Sequence, residues 1–347
     1  MSQQGKLLVL LTLVCITNLL QATHLPAQAQ VTEGLSMLRW SPDGKFLASV
    51  SKNGMIHIWN ALTNEIELEI TSQDGVIEYV SWSPDSQRLA TASSSNGLVQ
   101  IWDTASGNMI TELSMDRGYM GGAIVEWNSS GSTLVGVSFN TDGGLPLQFW
   151  RIMGGRFQPY AIFPQIAAFD IAWHPDGTQL AVADYRDVLI FDHLSDEVLE
   201  PRKIFPFQYT FAWSPDGDKL ATTGLNGEIQ VLNSASGETL ITIRPSITSE
   251  QDRTASIAWQ IDGIRLITDH FNGITQIWDA TTGVWLETIS LERQGGRNLM
   301  TLSPSGDRLA LGTSVHSVIQ TESPLLNVQQ IQVLGEGLIQ IVDLSDG

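Results

Sequence analysis

Trp40-Ser41-Pro42-Asp43-Gly44 returns as Trp82-Ser83-Pro84-Asp85-Ser86, as Trp173-His174-Pro175-Asp176-Gly177 and as Trp213-Ser214-Pro215-Asp216-Gly217. Looser copies stand at Trp127-Asn128-Ser129-Ser130-Gly131, Trp259-Gln260-Ile261-Asp262-Gly263 and Leu302-Ser303-Pro304-Ser305-Gly306. That makes seven copies, whose starts are 42, 45, 46, 40, 46 and 43 residues apart. A period in this range marks a chain of repeated supersecondary units, each burying its apolar face against its neighbours.

Each copy has the same internal order. An apolar stretch leads into the anchor residue, as in Val76-Ile77-Glu78-Tyr79-Val80-Ser81-Trp82. Pro then presets φ and Gly accepts φ > 0, which predicts a tight turn. A short strand follows, such as Phe46-Leu47-Ala48-Ser49. Asn53-Gly54, Asn96-Gly97, Asn226-Gly227 and Asn272-Gly273 are hairpin signals after that strand. An alternating third strand (Ile56-His57-Ile58-Trp59) and a fourth complete the unit. Four strands, seven copies and no helical period predict an all-β fold, a seven-bladed β-propeller of mostly four-stranded antiparallel blades. The blades run at about 34–72, 75–116, 120–163, 166–206, 207–248, 253–292 and 297–347. Ten of the 11 Trp have places in this scheme: Trp40, Trp82, Trp127, Trp173, Trp213 and Trp259 end first strands, and Trp59, Trp102, Trp150 and Trp278 end third strands. Trp285 is left over.

These residues resemble the WD40 repeat family over about 35 to 347. The resemblance rests on the Trp-Ser-Pro-Asp-Gly phrase and on the endings Ile101-Trp102-Asp103 and Ile277-Trp278-Asp279. It implies the propeller fold and leaves function open, because one fold hosts many tasks. The family's buried network of His, Ser/Thr, Asp and Trp is incomplete here. Asn53, Asn96, Asn226 and Asn272 hold the Asp place, Ser49, Thr222 and Thr268 the Ser/Thr place, and Gln73, Gly118 and Glu250 the His place.

Residues 1–29 read as a secretory signal peptide, leaving 30–347 as a single propeller. Lys6 precedes the apolar run Leu7 to Leu20, and Ala27-Gln28-Ala29 is a small-x-small cleavage site. The run is short for a membrane anchor, which takes about 17–25 apolar residues. Cleavage after Ala22 is the alternative. Cys15, the only cysteine, lies inside this segment, so the mature chain has no thiol or disulfide chemistry. A periplasmic or secreted bacterial protein is the expectation, with no membrane insertion after the leader is removed. The last copy ends at Gly347, where the others have a fourth strand still to come. A strand lent from near His24 to Gln28 would be removed by cleavage after Ala29, so a three-stranded last blade is expected.

The chain carries 37 acidic and 18 basic residues, a formal charge of -19 that removal of Lys6 takes to -20. No basic run offers a phosphate-binding surface, which excludes nucleic acid. The six His show no metal-ligand spacing, and no nucleophile elbow or phosphate loop occurs. No cofactor is implied. Of the first-strand carboxylates that face a propeller's channel, Glu126 and Asp170 read as ion-paired or solvated. His174 reads as a solvated turn residue.

A non-catalytic, monomeric scaffold for an unidentified protein or peptide is therefore the expected function. Its candidate binding rim is the end that carries the second-to-third-strand turns: Lys52, Tyr185, Arg186, Leu225 and Phe271, types that serve as interface anchors or flank them. The last copy takes 33 residues from Leu309 to Val342 where others take about 12. Its insert, roughly 313 to 335, adds Val315, Ile319, Leu325 and Leu326 to the candidate rim, or else forms an extended hairpin. Two other families are alternatives: the TolB propellers of envelope assembly, which share the Trp-Ser-Pro-Asp-Gly phrase, and channel-centred hydrolases or lactonases.

Overall fold

The Pro-Asp-Gly turns form as their residues dictate. Ser41 N–H donates to the Phe46 carbonyl at 2.8 Å and Gly44 N–H to the Ser41 carbonyl at 2.9 Å. The Ser41 hydroxyl donates to Asp43 Oδ1 at 2.7 Å, while the same carboxylate oxygen accepts from Lys45 N–H. Ser83 with Asp85 and Ser214 with Asp216 repeat this pairing. A short carboxylate and a hydroxyl two residues apart thus satisfy the turn's backbone donors locally.

The computed structural model describes residues 35–344 apart from 52, 73–75, 94, 96, 116–122, 139–145, 165, 167, 169, 185–186, 195–196, 199–200, 207–209, 225–226, 246–253, 292–298, 313–318, 321–331 and 335–338. The expected signal peptide and the expected lent strand near His24 lie outside them. Seven antiparallel sheets follow one another along the chain. Blade 1 is typical, with strands Leu35–Trp40, Phe46–Ser51, Met55–Asn60 and Ile66–Thr71 paired in order.

Along each first strand, side chains alternate between the two faces of the sheet. Leu38, Val80, Val125, Ile171, Phe211 and Ile257, each two residues before an anchor, are buried. The core lies between sheets: Ala48, Val50, Ile56 and Ile58 of blade 1 pack against Val80, Trp82, Leu89 and Trp102 of blade 2. Four first-strand tryptophans staple neighbouring blades together. Trp82 Nε1–H donates to the Arg39 carbonyl of the preceding blade at 3.1 Å. Trp213 does the same to Ala172 and Trp259 to Ala212, both at 3.0 Å. Trp40 reaches back to the Thr301 carbonyl of blade 7 at 3.2 Å, and the first strands of blades 1 and 7 pack together, so the ring closes.

The third-strand tryptophans sit at bulges opposite the fourth strands and turn their indoles onto the second strand. Trp59 Nε1–H donates to Ser49 Oγ at 2.8 Å, Trp102 to Thr91 Oγ1 at 3.0 Å and Trp278 to Thr268 Oγ1 at 2.9 Å. In blade 6 the histidine of this network is supplied from the second strand, where His270 Nε2 lies 3.2 Å from Thr268 Oγ1. Blade 3 has Gly136 in the Ser/Thr place, and a Cβ there would come within 2.8 Å of the Trp150 ring.

Two expectations are corrected. Blade 7 has four strands, not three: Leu299–Leu302, Arg308–Gly312, Ile339–Asp343 and, outermost, Gln332–Leu334. The insert supplies the missing strand by doubling back as a hairpin, Leu334 opposite Ile339, which pairs the backbone groups an open edge would leave unsatisfied. Earlier in the insert, Ile319–Gln320 adds a fifth strand to blade 6, with Ile319 opposite Leu291. The insert is thus built into two sheet edges, and Ile319 lies at the outer circumference of blade 6. The second correction concerns His174, whose side chain is packed rather than solvated. Its ring meets Trp213 edge-on at 4.8 Å, Nε2 lies 3.2 Å from the Gly217 carbonyl and Nδ1 lies 2.7 Å from Asp176.

Candidate functional site

The channel wall is polar on one side. The residue before each anchor is, in blades 1 to 7, Arg39, Ser81, Glu126, Ala172, Ala212, Ala258 and Thr301. The Arg39 guanidinium donates to the Tyr79 hydroxyl at 2.5 Å, lies over the Tyr79 ring and stands 3.7 Å from Glu126. Glu126 also accepts from the Trp173 backbone N–H. Asp170 accepts from Thr210 Oγ1 at 2.9 Å and from Phe211 N–H at 3.4 Å. Burial raises the Glu126 carboxyl to about 7, with Arg39 opposing the rise and Asp170 adding to it. Burial raises Asp170 to about 6 against its two hydrogen bonds. Glu126 is thus ion-paired and Asp170 hydrogen-bonded, five blades contributing to one network. Arg39 was not singled out from sequence; its charge at a position where five sister copies carry Ser, Ala or Thr was the available signal.

At the expected rim the structure says little. Lys52, Tyr185, Arg186, Leu225, Val315, Leu325 and Leu326 lie outside the described residues. Phe271 stands half-buried in the Asn272-Gly273 turn. Ile319 is at the sheet edge already described, beside the end of the fourth strand of blade 6.

The opposite end of the ring carries the first-to-second and third-to-fourth turns, and the exposed apolar surface gathers there. Of eleven exposed large hydrophobic side chains among the described residues, nine lie in or beside these turns; Val76 and Ile162 do not. Five of the nine form a strip over blades 5 and 6: Leu240, Ile261, Ile264, Val284 and Trp285, each 47–57% exposed. Sequence reasoning missed them, although the signal was present. Ile261 and Ile264 stand where blade 1 has Pro42 and Lys45, and Val284 stands where blades 2 and 5 have Asn108 and Glu238.

The turns also form a seam. An added Cβ at the turn glycine of one blade would meet the preceding blade's turn: Gly131 meets Pro84 at 3.1 Å, Gly177 meets Ser129 at 2.6 Å, Gly306 meets Ile261 at 2.7 Å and Gly44 meets Pro304 at 3.7 Å. Gly217 lies against His174 in the same way. Blade 2 has Ser86 instead, whose hydroxyl accepts from Asp43 N–H at 3.2 Å. Gly263 alone breaks this pattern, with nothing within 4 Å on the side of blade 5.

Among the described residues, no three or more His, Cys, Asp or Glu are grouped to hold a metal ion, and no helix is long and apolar enough to cross a membrane.

Comparison with known proteins bears on this architecture. The family model for the WD domain, G-beta repeat, matches residues 23–60 and 67–103. The anaphase-promoting complex subunit cdc20 of Dictyostelium discoideum is 29% identical over 204 residues, 55% of this chain and 38% of that protein. WD repeat-containing protein 1 of Gallus gallus is 33% identical over 87 residues, 24% of this chain and 14% of that protein. The matched stretches thus span well under half of either relative. The solved β-propeller domain of Cps50 (Swd1) from Myceliophteria thermophila superposes with a TM-score of 0.69 at 16% identity, covering 90% of this chain and 97% of that one, a likeness of fold. With the repeat model matched in the first two copies and the same grammar carried through a closed ring of seven, the chain folds as a WD40-type β-propeller.

Proposed function

We propose that the protein is an exported WD40 scaffold that binds a protein or peptide on the surface of its ring and catalyses no reaction. The observation that carries this reading is the apolar surface left exposed at one end of a closed ring. Monomeric soluble proteins rarely leave such surface contiguous unless something binds it. The match to the WD-repeat model supports the reading, and so does the name of one relative, a subunit of a complex. Arg39 pairs with Tyr79 and Glu126, and Asp170 accepts from Thr210, which fits a structural role. Export rests on the leader in residues 1–29 and places the ring in the periplasm or outside the cell. Co-purification of the tagged protein from the cell envelope, with mass spectrometry of its N-terminus, tests both parts. A reproducible partner and a start at Gln30 are expected. The absence of any partner would overturn the scaffold, and recovery of the intact leader in cytosolic protein would overturn export.

A channel-centred hydrolase is the second reading, favoured by one observation, a Glu126 carboxyl raised to about 7. A hydrolytic activity abolished by Glu126→Gln at unchanged stability would establish it in place of the scaffold.

A further inference from the structure

We infer that the partner docks on the turn end of blades 5 and 6, not on the opposite rim, and that it presents a basic amphipathic segment there. This inference rests on the scaffold reading and names the face and the chemistry.

The exposed apolar residues lie on neighbouring turns of blades 5 and 6 and reach the edge of blade 7. Gly283, in the third-to-fourth turn of blade 6, lies against Ile241 and Ile243 in the outer strand of blade 5, so the turn that carries Val284 and Trp285 abuts the strand that carries Leu240. Ile264 accepts from Ala280 N–H at 2.7 Å, tying the two turns of blade 6 together. Ile261 packs on Gly306 of blade 7. Together the five half-exposed side chains offer apolar surface on the order of 400 Å², the scale at which such surface commonly has a binding role. The open space beside Gly263 lies in the same region, so the strip borders a break in a seam that is otherwise filled. Trp285 is the one exposed tryptophan; the other ten are buried or half-buried. Its indole N–H is held by Thr288 Oγ1 at 3.0 Å, which presets the ring as an anchor.

Charge decides the class of partner. Among the described residues at this end of blades 5 to 7 the acidic ones are Asp216, Asp218, Glu238, Asp262, Asp279, Asp307 and Asp343. The three basic ones are engaged: Lys219 over Trp259, Arg265 with Asp262, and Arg308 with the Gly44 and Ala61 carbonyls. Bonds from Thr281 and Thr282 hold the Asp279 carboxyl down at about 2, so it stays ionised. An apolar strip in an acidic field selects a segment with apolar residues on one face and Lys or Arg on the flanks. A second copy of this chain would bring the same charge, and an anionic membrane would be repelled.

The probe is an 18-residue Leu/Lys peptide patterned as an amphipathic helix, set against the same pattern with Glu for Lys and against a shuffled Leu/Lys peptide of equal composition. Binding to the full-length protein is read by fluorescence anisotropy and by protection of tryptophan emission from acrylamide. The amphipathic Lys peptide should bind at least tenfold more tightly than either control and should shield the quenchable emission. Trp285→Ser and Ile264→Ser should each weaken it about tenfold, with melting temperatures unchanged, whereas Phe271→Ala at the opposite rim should have no effect. Equal affinity for all three peptides would overturn the inference, as would loss on Phe271→Ala alone. A concentration-dependent dimer abolished by Trp285→Ser would also overturn it, assigning the strip to a second copy. If an envelope partner remains bound to Trp285→Ser protein, this face is wrong and the scaffold reading stands. If the peptide binds through Trp285 but no envelope partner exists, the scaffold reading fails alone.

Discussion

The joint between blades 7 and 1 and the joint between blades 5 and 6 use the same anchor differently. At the closing joint, Arg308 donates to the Ala61 carbonyl at 3.0 Å and to the Gly44 carbonyl at 3.1 Å, and stacks 4.6 Å from the centre of the Trp40 ring. Pro304 covers Gly44 beside it. At the joint of blades 5 and 6, Lys219 stands over Trp259 at 5.8 Å with no backbone bond of this kind, and the space next to Gly263 is empty. Both joints keep the tryptophan staple to the preceding first strand. The difference teaches that ring integrity and surface finish are separable. The inner strands hold every joint closed, while the turns are sealed where the chain's two ends must meet and left open where the apolar strip lies.

The largest effect should come from breaking the closing joint. Arg308→Ala removes two charge-assisted hydrogen bonds and a cation–π contact, together about 4 kcal/mol. Urea unfolding should show that loss, whereas Lys219→Ala, with a looser contact, should cost under about 1 kcal/mol. Comparable losses would mean that the two joints are equivalent.

Glycine substitutions sharpen the same contrast. Gly217 (φ 78°) and Gly263 (φ 68°) both have left-handed backbones, so alanine costs each about 1 kcal/mol in strain. At Gly217 the new methyl also drives into His174, raising the cost to roughly 3 kcal/mol by analogy with other overpacked sites. His174→Ala in the same chain should recover most of the difference. Equal melting temperatures for the two glycine variants would contradict the open seam.

Within a blade, Trp278→Phe should cost about 1 kcal/mol by leaving Thr268 without its indole donor. In blade 3, Gly136 has no hydroxyl to accept from the indole, so Trp150→Phe should lose packing alone and cost less.

The smallest effect is a pH slope. Glu126 and Asp170 titrate higher folded than unfolded, so the folded state holds more protons and their contribution falls as pH rises from about 4 to about 7. The turn aspartates act oppositely. Asp279, lowered to about 2 by Thr281 and Thr282, contributes above its ordinary value and loses this as pH falls toward 2. Glu126→Gln should flatten the slope between pH 4 and 7 and leave the acid limb unchanged. A slope unchanged in that variant would remove Glu126 from the account.

Much of the fold was legible because each repeat carries its own turn chemistry. The Ser41 and Asp43 side chains satisfy their turn locally, so five residues suffice to announce it. The third-strand tryptophans were legible for the same reason, their Ser/Thr acceptors lying ten or eleven residues back on the neighbouring strand. The site was less legible. Arg39 and Glu126 are 87 residues apart in the chain and meet only because the ring turns both toward one axis. Trp285 had no place in the repeat scheme, and only the third-to-fourth turn set it and Val284 outward.

The amino-acid sequence by itself determined the repeat, the turn residues, the tryptophan anchors and the negative charge, all of which depend on neighbours within one blade. Tertiary structure alone decided how blade 7 finishes, which polar groups share the channel and where the apolar surface lies. Those outcomes depend on contacts between blades, where an open sheet edge takes the nearest segment able to pair with it. For blade 7 that segment was its own insert, Gln332–Leu334.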